Sequence, residues 1–343
     1  DASNYGYAVV EKSDMVFIPD LDTAVVDPFC AVPTLSITGN AMVIDNPKNR
    51  PLDQYPRNIV LAAEQYMKDS GIADTMLILP EFEFHLFDSA GWAVKPGEIS
   101  AAVDSAQAPW NSDSEGLGCV VPHQKNYHIA KPLDRTYECR SEMCLKLEKM
   151  GIPIKYHHPE VGASGQFEIE PMLGQMSKMA DATMMIKYVI RNTAMKYGMT
   201  ATFMPKPVYG EAGNGMHVHM LLLKNGEPVF SDDNGYSHLS REAHYFMGGL
   251  LKHVSSLCAI TNPSTNSFKR LVPGAGYRRL RHLQSQRRHP DSRLCKNSEA
   301  APVRAAQPGR HLQSIFLLRR PFDGRIRWNQ KPDRSPCHGL GPL

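Results

Sequence analysis

The segment PEFEFHLFD at residues 80–88 alternates acidic or imidazole side chains with apolar ones. Successive side chains of a β-strand point to opposite faces, so a strand here would carry Glu81, Glu83 and His85 together on one face. Two carboxylates placed so closely repel each other unless cations lie between them. Taken alone, the segment is equally compatible with a half-exposed antiparallel strand.

Two further segments have the same character. In HHPEVGASGQFEIE (157–170), Glu160 precedes a glycine-containing turn, and one strand face then carries Gln166, Glu168 and Glu170. In GEAGNGMHVHML (210–221), two histidines share one strand face, namely His217 and His219. A lone histidine on a strand is more often a surface or satisfied core residue, but two of them beside two Glu-bearing strands favour a site.

A hard-ligand set with a single imidazole emerges from these segments: Glu81, Glu83, Glu160, Glu168 and His217. Such a set suits Mg²⁺ or Mn²⁺ better than zinc. Paired divalent cations surrounded by carboxylates are typical of sites where phosphoryl groups move. The chain has neither the glycine-rich loop of P-loop proteins nor that of dinucleotide-binding folds, so any nucleotide must bind in another way.

The elements that position these residues alternate irregularly between α and β. Helical spacing predicts helices over 56–70, 136–150 and 179–197, and Ser240 is suited to cap another that runs to about 260. Alternation predicts strands over 76–88, 164–170, 200–206 and 215–223, whereas the Gly-, Ser- and Pro-rich region 89–130 predicts a long loop. This order indicates an α+β domain rather than a doubly wound parallel sheet.

Composition bounds the class of protein. Of the 343 residues 42% are apolar and 21% charged, which is usual for a globular domain. Seven scattered cysteines without a C-x-x-C pair predict reduced thiols and a cytoplasmic location. No apolar run is long enough for a membrane span, so we expect no membrane partner. Residues 275–343 hold 15 Lys and Arg against 4 Asp and Glu, while residues 1–274 hold 23 against 31.

From residue 1 to about 274 the chain resembles the bacterial type I glutamine synthetases. The motifs that carry the resemblance occur in the family's order: SDMVFIPDLDTAVVDPF, PEFEFHLFD, HHPEVGASGQFEIE, TATFMPKP, GNGMHVHM and NPSTNSFKRLVPG. The resemblance implies the glutamine-synthetase catalytic-domain fold, a curved and mainly antiparallel sheet with helices outside. It implies a catalytic domain at 51–274, with 1–50 as the remnant and linker after a missing N-terminal β-grasp domain.

The resemblance also assigns roles by position. Glu83, Glu160 and Glu168 would hold a first Mg²⁺ or Mn²⁺, and Glu81 with His217 a second. Gly213 and Arg270 match positions that bind glutamate, and His219 matches one near ATP. Asp1 matches an aspartate that helps to deprotonate ammonium at a neighbouring subunit's site.

The implied activity is ATP-dependent ligation of ammonia to glutamate through γ-glutamyl phosphate, in a homo-oligomer that is a dodecamer in the family. Two alternatives stay open: a related ligase that joins glutamate to a polyamine or another amine, and a catalytically inactive fragment. Three departures from the family's pattern bear on activity: Pro159 in place of a histidine, Ala212 in place of an asparagine, and KNYH at 125–128 in place of a Gly- and Phe-rich stretch.

The family's flap, with its catalytic glutamate, and its later metal-ligand glutamate have no counterpart in residues 275–343. If synonymous codons are chosen freely and the reading frame is shifted by one nucleotide, the gene segment for residues 282–292 can encode TSNRSAVIRIP. The segment for residues 302–316 can encode RFEPRSPDATCNPYF in the same frame. Both fit the family's order, so we expect an out-of-frame, poorly ordered tail. The rival interpretation is a basic nucleic-acid-binding segment. We expect no nucleic-acid partner.

Overall fold

The computed structural model describes residues 3, 9–10, 13–44, 48–115 and 118–271, with the backbone of 303–306 and 316–317. Asp1 and most of the tail predicted to be out of frame lie outside the described residues. In the part of the chain that the structure describes, no helix combines the length and the apolar character needed to cross a bilayer.

The described residues contain five α-helices: α1 (Pro56–Asp69), α2 (Tyr137–Lys149), α3 (Met176–Lys196), α4 (Arg241–Thr261) and α5 (Thr265–Arg270). Local sequence explains their ends. Pro56 occupies the first turn of α1, where a missing N–H costs no hydrogen bond. The Ser240 hydroxyl caps α4 by accepting a hydrogen bond from the Ala243 N–H at 3.0 Å, as predicted.

The strands are β1 (Met15–Pro19), β2 (Val25–Val26), β3 (Leu35–Ser36), β4 (Gly39–Val43), β5 (Arg50–Pro51), β6 (Thr75–Pro80), β7 (Phe82–Phe87), β8 (Ser89–Lys95), β9 (Glu98–Asp104), β10 (Ile154–Pro159), β11 (Gln166–Pro171), β12 (Gly174–Gln175), β13 (Thr200–Thr202), β14 (His217–Lys224), β15 (Glu227–Pro228), β16 (Val303–Ala306) and β17 (Phe316–Leu317). Every pairing among them is antiparallel. One main sheet has the order β10-β11-β7-β13, and the other contains β12-β6-β14-β16-β17. Helices beside antiparallel sheets confirm the α+β class.

The chain changes sheet at a single residue. β6 ends at Pro80 in one main sheet and β7 begins at Phe82 in the other, with Glu81 between them. The predicted strand over 76–88 is therefore two strands, because the alternation of side chains continues across the junction while the hydrogen-bonding partners change. Backbone hydrogen bonds hold the junction: the Glu81 N–H donates to His217 O at 2.8 Å and the Glu83 N–H to Gly215 O at 3.2 Å.

The main core lies between the β10-β11-β7-β13 sheet and the helices α2 and α3. Its sheet side is formed by the apolar face predicted for β7 and by its neighbour β11, with Phe82, Phe84, Leu86, Phe167 and Ile169 all buried. Its helix side includes Met143, Leu147, Ile186 and Ile190. Each large side chain buried in this way contributes about 1.5–3 kcal/mol, so the core fixes which face of β7 and β11 is left for polar groups.

The first part of the region 89–130 corrects the prediction of a long loop, whereas the described residues of 105–130 contain no strand or α-helix, as predicted. β8 and β9 form a regular hairpin of seven residue pairs from Ser89–Asp104 to Lys95–Glu98. Both strands are largely exposed, so the apolar alternation that normally marks a strand is weak here. β10 and α5 were also not predicted from the sequence pattern.

Candidate active site

Strand register places the polar residues side by side. In the β7–β11 pair Glu83 lies opposite Glu168, and in the β10–β11 pair His158 lies opposite Glu168. Because opposite residues of an antiparallel pair share one face, these three side chains project together from the face away from the core. The register therefore builds a row of carboxylates and imidazoles across three neighbouring strands.

Glu81, at the junction between the two sheets, joins two histidines of β14. Its Oε2 lies 2.8 Å from Nδ1 of His217, and its Oε1 lies 2.7 Å from Nε2 of His219. An ionised carboxylate can only accept, so both imidazoles donate to it while no cation is bound. The residue is 2% exposed, which shields these charge-assisted contacts from water.

Glu83 is held by neutral donors and one cation. Its Oε2 accepts hydrogen bonds from the Gln166 amide and from the Gly215 N–H, each at 2.9 Å. The guanidinium Nη2 of Arg270 lies 3.6 Å from the same oxygen, and Nδ1 of His217 lies 3.8 Å from Oε1. The side chain is thus fixed in position, with Oε1 turned towards the histidine.

Glu160, Glu168 and His158 form a second group, in which one potential ligand atom of each lies within 4.8 Å of the others. Nδ1 of His158 lies 3.0 Å from the carbonyl oxygen of Pro159, to which it donates. The other ring nitrogen, Nε2, then keeps its lone pair and lies 3.7 Å from Glu168 Oε2. A hydrogen bond that fixes the far nitrogen of a histidine in this way is typical of metal-binding imidazoles.

Burial makes this concentration of negative charge costly. Burial first, and then the Glu83 carboxylate, raise the pKa of Glu160 to about 8. Burial and the carboxylates of Glu81, Glu160 and Glu83 raise the pKa of Glu168 well above its ordinary value. A cation among these oxygens would reverse both effects, because it favours the ionised carboxylates. The donor set therefore fits a divalent cation with hard oxygen ligands.

The glycine-rich loop before β14 brings Arg270 of α5 to the site. A Cβ atom on Gly213 would lie 2.2 Å from the Pro205 carbonyl oxygen and 3.3 Å from Cδ of Arg270, so only glycine fits. The Arg270 guanidinium donates to the carbonyl oxygen of Asn214, and the Asn214 side chain meets Nδ1 of the buried His85 at 2.8 Å. Burial lowers the pKa of His85 to about 4, so this histidine is a neutral support of the loop.

A cavity of about 350 Å³ opens beside Glu83 and Arg270. Polar groups from Lys187 and Asn214 and apolar groups from Phe203 also line it. One carboxylate of the row, Glu83, and two basic side chains, Arg270 and Lys187, therefore line the same cavity.

The structure brings together most of the residues singled out in the sequence. Seven of them lie around one continuous polar region: Glu81, Glu83, Glu160, Glu168, His217, His219 and Arg270. Gly213 lies at its edge, and Asp1 lies outside the described residues. Sequence reasoning did not select His158, Gln166 or Glu170. Strand alternation placed Gln166 and Glu170 beside Glu168, which was the available signal.

Comparison with known proteins identifies the family of the domain. The family described as "Glutamine synthetase, catalytic domain" matches residues 53–282. Over 273 residues the chain is 43% identical to the glutamine synthetase of Haemophilus influenzae and 42% identical to that of Escherichia coli K12. It is also 45% identical to a 3-hydroxylaminophenol mutase of Cupriavidus pinatubonensis.

These alignments cover 78% of this chain but 57%, 58% and 57% of the three relatives, so the chain spans little more than half of their length. Among solved structures, a Plasmodium falciparum glutamine synthetase superposes with a TM-score of 0.68 at 29% identity. That superposition covers 78% of this chain and 52% of the other. The expected fold is therefore confirmed, and the chain belongs to the glutamine synthetase catalytic-domain family.

Proposed function

We propose that the chain carries the catalytic site of a glutamate–ammonia ligase, which uses ATP to make glutamine, ADP and phosphate. The observation that supports this most directly is the row of buried carboxylates and imidazoles across β7, β11, β10 and β14 within a glutamine synthetase domain. Phosphoryl transfer needs such a row, because it requires positioned divalent cations more than it requires covalent catalysis by the protein.

In this proposal Glu83, Glu160 and Glu168 hold one Mg²⁺ or Mn²⁺, and Glu81 with His217 holds a second. Bound there, the cations would offset the negative charge of the phosphoryl group being transferred. The protein's own contribution is rigidity. Gln166 and the Gly215 N–H fix Glu83 at 2.9 Å each, so one ligand is oriented before any cation arrives.

The substrates are placed by the surrounding residues. Arg270 lies buried beside Glu83 and would pair with a carboxylate of glutamate. Gly213, whose missing side chain leaves room for the Pro205 carbonyl and Arg270, would contact the same substrate. His219 would lie next to the ATP phosphates. Asp1 would act on ammonium at the site of a neighbouring subunit, in a cytoplasmic homo-oligomer. The side-chain carboxylate of glutamate would attack the γ-phosphoryl group of ATP, releasing ADP and forming γ-glutamyl phosphate. Ammonia would then displace phosphate from this intermediate to give glutamine.

The test is an assay of the purified 343-residue chain with ATP, glutamate, ammonium and Mg²⁺ or Mn²⁺, following both phosphate release and glutamine. Glu168→Gln should abolish both products, because it removes a carboxylate from the centre of the row. Glu142→Gln is the matched control, since Glu142 pairs with Lys196 at 2.7 Å on the helical side of the domain. Glutamine formation that survives Glu168→Gln, or no glutamine from the unaltered chain, would refute the proposal.

The 45% identity to a 3-hydroxylaminophenol mutase favours one further comparison. The same preparation should be offered primary amines in place of ammonium and, separately, 3-hydroxylaminophenol without ATP. Phosphate release only with amines would indicate a glutamyl–amine ligase. Loss of 3-hydroxylaminophenol without ATP hydrolysis would indicate a mutase.

A further inference from the structure

We propose that Glu170, with His219 beside it, is an additional ligand of the second cation, which Glu81 and His217 hold in the proposed function. The inference rests on the proposed function, because it assigns a residue to one of that site's cations. Glu170 lies on β11 two residues after Glu168 and is 1% exposed. One potential ligand atom each of Glu81, Glu170 and His219 lies within 4.8 Å of the others.

Strand register explains why Glu170 reaches this place. β11 pairs with β7 from Gln166–His85 to Ile169–Phe82. The next residue of β11 is Glu170, and the residue before β7 is Glu81, so the register carries the two carboxylates to the same end of the row. Alternation puts Glu170 on the same face as Glu168, away from the core.

The two oxygens of Glu170 have different surroundings. Oε1 accepts a hydrogen bond from the Lys155 ammonium at 2.5 Å. Oε2 is buried and has no hydrogen-bond partner among the residues that the structure describes. A buried carboxylate oxygen without a donor is costly, because it has lost its water and gained nothing in exchange. A cation between Glu170, Glu81 and His219 would satisfy that oxygen.

The competing explanation is that Glu170 serves only as the partner of Lys155 in a buried ion pair. The side chain of Lys155 is 10% exposed. The residue lies where the register between β10 and β11 shifts, between Ile154 and Tyr156. This pair accounts for one oxygen of Glu170 and leaves the other unexplained. The Tyr156 phenol also lies beside Glu170: burial, the nearby carboxylate and a hydrogen bond to it raise the pKa of the phenol. Even so, Oε2 of Glu170 has no hydrogen-bond partner among the described residues.

The test is direct titration of the full chain with Mn²⁺, in which the electron paramagnetic resonance signal of free Mn²⁺ measures stoichiometry and affinity without turnover. The unaltered chain should bind two ions. Glu170→Gln should weaken the second roughly 10–100-fold, the range seen when supporting groups of a metal site are lost, and leave the first unchanged. Glu142→Gln, which alters another carboxylate paired with lysine, should change neither.

Lys155→Met separates the ligand from the ion pair. If Glu170 is a ligand, removing the neighbouring ammonium should strengthen binding of the second ion, whereas Glu170→Gln weakens it. The double variant Glu170→Gln/Lys155→Met leaves no unpaired lysine, and it should still bind only one ion tightly. Circular dichroism of each variant verifies folding.

Two outcomes overturn the assignment. The inference fails if the unaltered chain binds two ions and Glu170→Gln binds both equally tightly. It also fails if Lys155→Met and Glu170→Gln change the affinity for the second ion in the same direction and to the same extent. That result is expected if the two residues form only a structural ion pair. The proposed function itself fails if the unaltered chain binds no Mn²⁺ at all, which is a different result.

Discussion

Arg140 and Asp134 form a buried ion pair whose loss should be severe. Nη1 and Nη2 of Arg140 donate to the two carboxylate oxygens of Asp134 at 2.9 and 2.6 Å, and the side chains are 1% and 3% exposed. The guanidinium also lies over the Phe167 ring at 4.5 Å and donates from Nε to His157 at 3.3 Å. The pair therefore ties the first turn of α2 to β10 and β11, next to the candidate site.

Asp134→Asn removes the negative charge but leaves the guanidinium buried. An unpaired buried charge costs about 3–5 kcal/mol, which is a large part of the 5–15 kcal/mol that stabilises a typical domain. We expect the free energy of unfolding to fall by that amount. The measurement is urea unfolding followed by far-ultraviolet circular dichroism at a fixed protein concentration.

Asp53→Asn is the matched control, because Arg50 and Asp53 form the same type of pair at 3.3 Å with side chains 52% and 85% exposed. Exposed pairs contribute about 0–1 kcal/mol. The double variant Asp134→Leu/Arg140→Met should recover most of the lost stability, since it removes both charges. Equal effects of Asp134→Asn and Asp53→Asn would refute the reasoning.

Three further outcomes follow from glycines and cysteines of the fold. Gly213→Ala should destabilise the chain by about 1–3 kcal/mol in urea unfolding, because the new Cβ would meet a backbone oxygen at 2.2 Å. Gly91→Ala is the control: it has open space around it and should change the stability by less than about 1 kcal/mol. Gly248→Ala should raise the unfolding midpoint by an amount equivalent to roughly 1 kcal/mol, since Gly248 lies inside α4 with nothing within 4 Å of the new methyl group; an unchanged midpoint would contradict this. Iodoacetamide at pH 8 should label the exposed Cys30 and spare Cys139, because labelling needs the thiolate and burial raises the pKa of Cys139 to about 11. Mass spectrometry should show that the rate of Cys139 labelling rises with pH. Rapid labelling of Cys139 at pH 8 would contradict its burial.

Much of the site followed from side-chain alternation alone. Phe82 and Phe84 had to face a core, so Glu81 and Glu83 had to face away from it, and the structure places them there. The sequence could not reveal that the pattern spans two sheets, because alternation depends on the strand and not on its hydrogen-bonding partner. That information lies in the pairing of β6 with β14, whose residues are more than a hundred positions apart.

Other features were hidden for different physical reasons. Both faces of the β8–β9 hairpin are largely exposed, so neither face needs to be apolar. The sequence therefore lacks the alternation of apolar and polar residues that predicts a strand. Glu170 carries the right alternation, yet its partner Lys155 comes from β10, beside a register shift that the sequence pattern does not show. Arg270 reaches the site only because α5 folds back on the glycine loop, a long-range contact without a local pattern.

The change of sheet at Glu81 has a mechanical consequence. Its backbone forms the junction between β6 and β7, and its two oxygens contact two histidines of β14. Any cation bound by Glu81 would thus be attached to both main sheets at one point and would resist their separation. When Mn²⁺ is added, the amide hydrogens of β6 and β7, which lie in different sheets, should therefore exchange more slowly and at similar rates. The two strands would then open as one cooperative unit instead of two.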